Sequence, residues 1–148
     1  MIIDYLEVRG HFESHKYEGE KSRKYWSIFY NIEEFIDPNK INIFYPKNMF
    51  VRDKDLEIYI FLENKILRGR IIDNGRIEIK ILFLKDIKDF TCECIYDGEY
   101  YHKLTLKFIN GEIIVLDSMI DTNFSWRNKF EKTIKEIIQE IINRKLGD

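Results

Sequence analysis

Apolar and polar positions alternate most regularly over residues 56–117, and an amphipathic stretch from about 123 to 146 follows. Leu56, Ile58, Ile60 and Leu62 alternate with Glu57, Tyr59, Phe61 and Glu63, the two-residue period of a strand. Two more strands are predicted at about 66–72 and 76–84, joined across Asn74-Gly75, a strong hairpin dipeptide. A two-residue loop there would set Arg70 opposite Ile79 and Ile71 opposite Glu78, mixing the two faces. A three-residue loop, 73–75, with Gly75 as a left-handed bulge, sets Ile71 opposite Ile77 and Gly69 opposite Ile79. It also places Arg70 opposite Glu78, an ion pair across the strands, so the bulged loop is predicted.

Residues 84–90 break the alternation and read as a corner with Ile87 pointing in. Phe90, Cys92 and Cys94 then share one strand face, expected to be interior. Tyr96-Asp97-Gly98 turns the chain, and Leu104, Leu106 and Phe108 mark the inner face of a strand at 101–109. Asn110-Gly111 reads as a plain two-residue turn that pairs Phe108 with Ile113 and Leu106 with Val115. Asp121, Thr122, Asn123 and Ser125 are helix N-cap candidates. Trp126, Phe130, Ile134, Ile137, Ile138 and Ile141 then form one stripe, and Gly147 marks the stop.

The first third reads as helical. Ile2, Ile3, Leu6 and Phe12 give a helical signal interrupted at Gly10, and Tyr25, Ile28, Phe29, Ile32, Phe35 and Ile36 continue it up to Asp37-Pro38. This third carries too little apolar surface to close a core alone, so residues 1–38 are expected to pack on the sheet of a single domain spanning 1–148. Residues 40–45 form a short first or edge strand ending at Pro46. A loop follows over 46–55, with Met49, Phe50 and Val51 tucked inward.

Composition narrows the class. Among the 148 residues 45% are hydrophobic and 15% aromatic, enough for a self-sufficient core. Isoleucine dominates and alanine is absent, a bias that points to an AT-rich, bacterial genome. The 24 Lys and Arg against 26 Asp and Glu give a net charge of -2, which disfavours generic nucleic-acid binding. The N-terminus lacks the pattern of a signal peptide, and no apolar run reaches the roughly 20 residues of a membrane span. Cys92 and Cys94, two apart on one strand, cannot readily bond each other. The expected compartment is the cytoplasm.

An order of about seven antiparallel strands closed by one helix is α+β. From residue 56 onward it resembles the pleckstrin-homology-like fold, above all its small bacterial members. Three features carry the resemblance: the strand and tight turn Ile58-Tyr59-Ile60-Phe61-Leu62-Glu63-Asn64-Lys65, the corner Leu84-Lys85-Asp86-Ile87-Lys88-Asp89-Phe90, and Trp126 early in the closing helix. The helical first third departs from the pattern. The resemblance implies a bent two-sheet sandwich or partly open barrel plugged by the helix, with Trp126 a packing residue. Such folds serve lipid, peptide and purely structural roles.

Lys65, Arg68, Arg70 and Lys80, with Arg76 nearby, form a basic cluster that resembles the headgroup motif in the opening hairpin of lipid-binding members of that fold. Phosphate recognition needs converging cations with arginine forks. Arg68, Arg70 and Lys80 share a face in the bulged register and are expected outside. The spacing is shorter than that motif's, and Glu78 opposes Arg70; a salt-bridged solvent face is the plainer reading. Cys92, Cys94 and His102 are zinc-type ligands without paired Cys-x-x-Cys spacing, which reads as packing rather than a metal site. His11 and His15 lack the glutamate of a zinc-protease helix, and no nucleophile elbow, P-loop or dinucleotide fingerprint occurs. Trp26 and Tyr30 are candidate exposed anchors, although core packing explains that aromatic group as well. The reading is therefore a non-enzymatic interaction module without a cofactor. It would hold a protein or peptide at a sheet edge or in the groove beside the last helix. The alternative is peripheral binding of anionic lipid through the basic hairpin.

Overall fold

Two N-terminal helices, seven strands and a C-terminal helix follow one another in a computed structural model that describes residues 1–73, 75–96 and 101–147. The strands are β1 (Ile43–Lys47), β2 (Glu57–Phe61), β3 (Lys65–Asp73), β4 (Arg76–Phe83), β5 (Ile87–Cys94), β6 (His102–Phe108) and β7 (Ile113–Asp117). They form a four-stranded sheet, β1-β2-β3-β4, and a three-stranded sheet, β5-β6-β7, both antiparallel; the sheets do not join into a closed barrel. The helices are α1 (Tyr5–Ser14), α2 (Glu20–Ile32) and α3 (Arg127–Gly147). Among the described residues no helix is long and apolar enough to cross a membrane.

The inner face of the four-stranded sheet meets α3, where the rings of Tyr45 and Phe130 lie 4.9 Å apart. Its outer face is covered by α1 and α2: Phe44 lies 5.1 Å from Tyr5 and 6.2 Å from Phe29. From β1 to the first half of β3 the sheet is thus buried on both sides, and Phe44, Ile58, Ile60 and Leu67 are all in the core. Each fully buried side chain of this kind contributes about 1.5–3 kcal/mol, so the helical third is part of the core, not an appendage. Asp4 caps α1 by accepting from the Leu6 N–H, and Gly10 leaves that helix unbroken. Gly69 admits α2, because a Cβ there would lie 2.6 Å from Ile32 Cδ1 and 2.9 Å from Ile28 Cγ2.

The first hairpin has the register predicted from its pattern, with Ile71 opposite Ile77, Arg70 opposite Glu78 and Gly69 opposite Ile79. The ladder irregularity falls between Ile71 and Asp73, and Gly75 takes φ +84°; Asn74 lies outside the described residues. The second hairpin differs by one residue from the two-residue turn expected. Leu106 faces Ile114 and Lys107 faces Ile113. Phe108 N–H donates to Glu112 O, Gly111 N–H donates to Phe108 O, and Gly111 has φ +92°. Its loop is the three-residue Ile109-Asn110-Gly111, a left-handed bulge like the first. Ile113, Ile114, Val115 and Leu116 form an unbroken apolar run, so alternation could not select a register; the structure buries Ile114 and Leu116 and exposes Ile113.

Other boundaries shifted as well. The helix expected up to Ile36 ends at Ile32, the last α2 residue seated on the sheet, and Phe35 is 70% exposed. Asp37 starts a 3-10 turn, Pro38–Lys40, that reverses the chain into β1. Pro46 lies within β1, tolerated because β1 is an edge strand. In the 46–55 loop Met49 is buried and bridges Thr122, but Phe50, at φ +63°, turns outward. A 3-10 turn, Phe124–Trp126, leads into α3 behind Asn123, which makes no side-chain cap bond, and Asp121 is buried rather than capping. Phe130, Ile134, Ile137 and Ile141 form the buried stripe of α3, and Gly147 falls in its last turn. The turn expected at 96–98 lies largely outside the described residues.

Candidate functional site

Strand alternation sends Glu57, Arg68, Arg70, Glu78 and Lys80 to the inner face of the four-stranded sheet. Arg68, expected outside, is only 3% exposed. Its guanidinium donates to Glu78 at 3.0 Å and to Glu112 at 3.3 Å; Glu112 sits at the end of the β6–β7 loop, on the other sheet. Lys80 donates to Glu112 at 2.7 Å, and Arg70 Nε to Glu78 at 3.0 Å, with Glu57 4.0 Å from Arg70. Arg68 and Arg70 hold the Glu78 carboxyl below its ordinary pKa, and Lys80 and Arg68 do the same for Glu112. Three cations thus meet three carboxylates, so their charge is balanced in place, and the Arg68 guanidinium, bonded through both Nη atoms and buried at Nε, offers no fork to a phosphate in solvent. Lys65 lies on the opposite face of β3 by alternation and lines a different cleft, with Arg144 and Lys40. The four cations singled out in the sequence therefore do not converge.

Beside this network a cleft of about 570 Å³ is lined by Lys47, Asn48, Lys54, Asp55, Glu57 and Arg70, among others. At its wall Asp121, fully buried, accepts from Tyr45 Oη and from the Asp117 N–H, both at 2.7 Å. Burial pushes the Asp121 carboxyl up, opposed by Lys47 3.8 Å away, whose Nζ also donates to Val115 O. This cluster ties β1 to β7 and to the segment before α3. Read from sequence, Asp121 was one cap candidate among four; its burial follows from Tyr45, 76 positions away, which no local pattern announces. Cations and carboxylates are interleaved around the cleft, an arrangement suited to locking loops rather than to holding charge of one sign.

The third feature is β5. Phe90, Cys92 and Cys94 share one face as expected, and Cys94 is directly opposite His102. Both cysteines, however, are exposed, not interior. Leu104 and Leu106, opposite Cys92 and Phe90, are buried because α3 packs across β6 and β7, whereas β5 is the edge strand beyond it. His102 Nδ1 is 3.1 Å from Glu131 Oε2 of α3, which bounds the uncovered strip. Among the described residues no group of three His, Cys, Asp or Glu side chains could hold a metal ion.

The backbone of β5 follows from the ladder. Ser118 N–H donates to His102 O and Phe108 N–H donates to Glu112 O, so even-numbered β6 residues point their peptide groups at β7. Odd-numbered ones bond β5 through Asp89, Thr91 and Glu93, which turns the N–H and C=O groups of Phe90, Cys92 and Cys94 to an edge with no further strand among the described residues. Edge peptide groups, an uncovered strip and a bounding helix therefore coincide on one strand. On the N-terminal helices, Trp26 is half-buried under Arg9 and Lys16, while Tyr30 is exposed.

Residues 4–132, from before α1 into the first turns of α3, match the family described as "Protein of unknown function (DUF3908)", and the chain belongs to that family. No curated protein matches the chain.

Proposed function

We propose that this member of a family of unknown function is a non-enzymatic interaction module of pleckstrin-homology-like type that holds an extended peptide of a protein partner along β5, beside α3. Strand addition uses main-chain bonds for affinity and alternate side-chain positions for selectivity. The observation that carries the reading is the exposure of Cys92 and Cys94, in line with half-buried Phe90 on an edge strand, next to fully buried Leu104 and Leu106. The order of four strands, three strands and a closing helix supports the fold assignment. Peripheral binding of anionic lipid is the weaker reading, because Arg68 is buried and Arg70 and Lys80 are already paired with carboxylates.

A partner recovered from native lysate by crosslinked pull-down, cut down to its binding segment, should slow alkylation of Cys92 and Cys94 and shift the amide signals of residues 90–94. A bound segment that leaves both thiols as reactive as before rejects β5 as the site. Repeated failure to recover any partner counts against the module itself.

A further inference from the structure

Strand β4 is the other edge of the larger sheet, opposite β1. It has a single ladder partner among the described residues, β3. Leu84 N–H donates to Asn64 O, and the ladder keeps that register, so even-numbered β4 residues bond β3. The peptide groups of Ile77, Ile79, Ile81 and Phe83 therefore face outward. Their side chains lie on the α2 side of the sheet, where Ile81 is 49% and Phe83 42% exposed. An eight-residue edge strand whose isoleucines are half-covered at Ile77 and Ile79 and exposed at Ile81 is a template for another strand unless it is covered.

We infer that the cover is a second copy of this chain, paired β4 to β4 about a twofold axis through Ile79. Strand β4 reads Ile77-Glu78-Ile79-Lys80-Ile81, which is self-complementary in antiparallel pairing. An axis at Ile79 sets Ile77 opposite the other copy's Ile81 and Glu78 opposite its Lys80, joining apolar to apolar and acid to base. An axis at Glu78 or Lys80 would oppose like charges instead. The same axis makes Ile79 and its counterpart a hydrogen-bonded pair, as their outward peptide groups require. Glu78 and Lys80 keep about a third of their side-chain surface exposed while bonded within their own chain, so each can meet an added opposite charge. The contact is isologous and closes after two copies, giving one continuous eight-stranded sheet with α1 and α2 of both copies on one side.

Sedimentation velocity and light scattering on the full chain should report a dimer of twice 18.1 kDa that dissociates on dilution. I79K, which sets two cations face to face on the axis, should give a monomer with unchanged far-UV circular dichroism. I77K and I81E should each weaken association about tenfold or more, and the double variant should recover most of the loss by pairing the new charges across the axis. Amides of Ile77, Ile79 and Ile81 should gain protection from hydrogen exchange as concentration rises. A chain that stays monomeric at high-micromolar concentration, a dimer indifferent to I79K, or a double variant no better than the singles would overturn the proposal. So would β4 amides protected only by an added foreign peptide.

Discussion

Gly69→Ala tests whether α2 is seated on the sheet as described. The added Cβ would lie 2.6 Å from Ile32 Cδ1 and 2.9 Å from Ile28 Cγ2. The first contact is with the tip of a side chain and can be relieved by rotation. The second is not: Ile28 Cγ2 hangs directly from Cβ, and a β-branched residue in a helix has essentially one χ1 rotamer. Relief therefore requires α2 to lift away from β3. Overpacking of this kind costs about 1–3 kcal/mol, against which alanine recovers about 0.5–1 kcal/mol over glycine within a strand. The difference is a net loss centred near ~1 kcal/mol, within about 0–2.5 kcal/mol, a fall in Tm of roughly 3–4 °C at its centre for a domain of this size. Calorimetry reads it directly. Combining it with I28L, which keeps bulk but lacks the offending methyl, should recover part of the loss, a coupling that a double-mutant cycle resolves. A Gly69→Ala protein stabilised by the full backbone gain of about 0.5–1 kcal/mol would refute the close approach and with it the seating of α2.

Arg68→Ala leaves Glu78 and Glu112 without their shared buried partner and should cost about 2–3 kcal/mol in urea denaturation. The parent chain should not sediment with acidic vesicles at low salt; salt-sensitive sedimentation lost in R70A would reinstate the lipid reading. Tyr45→Phe removes the hydroxyl donor to buried Asp121 and should lower stability by about 1–3 kcal/mol without changing the fold. Stability should decline on acidification: the folded pKa values of Glu78 and Glu112 lie below the ordinary 4.5, so their contribution is complete above it and lost as pH falls through the depressed values. Asp121, raised from 3.8, acts with the opposite sign, protecting the fold as pH falls. Acid titrations of E112Q and D121N should therefore shift in opposite directions.

The first hairpin was legible because both strand faces alternate and Arg70 has Glu78 to meet. The second was not, since four consecutive apolar residues are compatible with either register, and only packing under α3 chooses between them. Exposure of Cys92 and Cys94 shows the same gap: period tells which residues share a face, not how far a helix 30 or more positions later will cover it. Arg68 was assigned to solvent for want of Glu112, 44 residues downstream and on the other sheet. Long-range closure, rather than local geometry, separates what the pattern reveals from what it hides. The clefts beside Asp121 and Lys65 belong to that closure and left no local mark.

The double burial of the larger sheet sets a timetable for making the protein. Helices α1 and α2 leave the ribosome before the strands, but Phe29 and Ile28 have nowhere to dock until Phe44 and Gly69 have emerged. Both helices must wait, apolar stripe uncovered, for a strand pairing made later in translation. A chain cut to start at Ile43 meets the mirror image of that delay and never resolves it. The strands would close, and Phe44, Ile58, Ile60 and Leu67 would stay bare on a finished sheet.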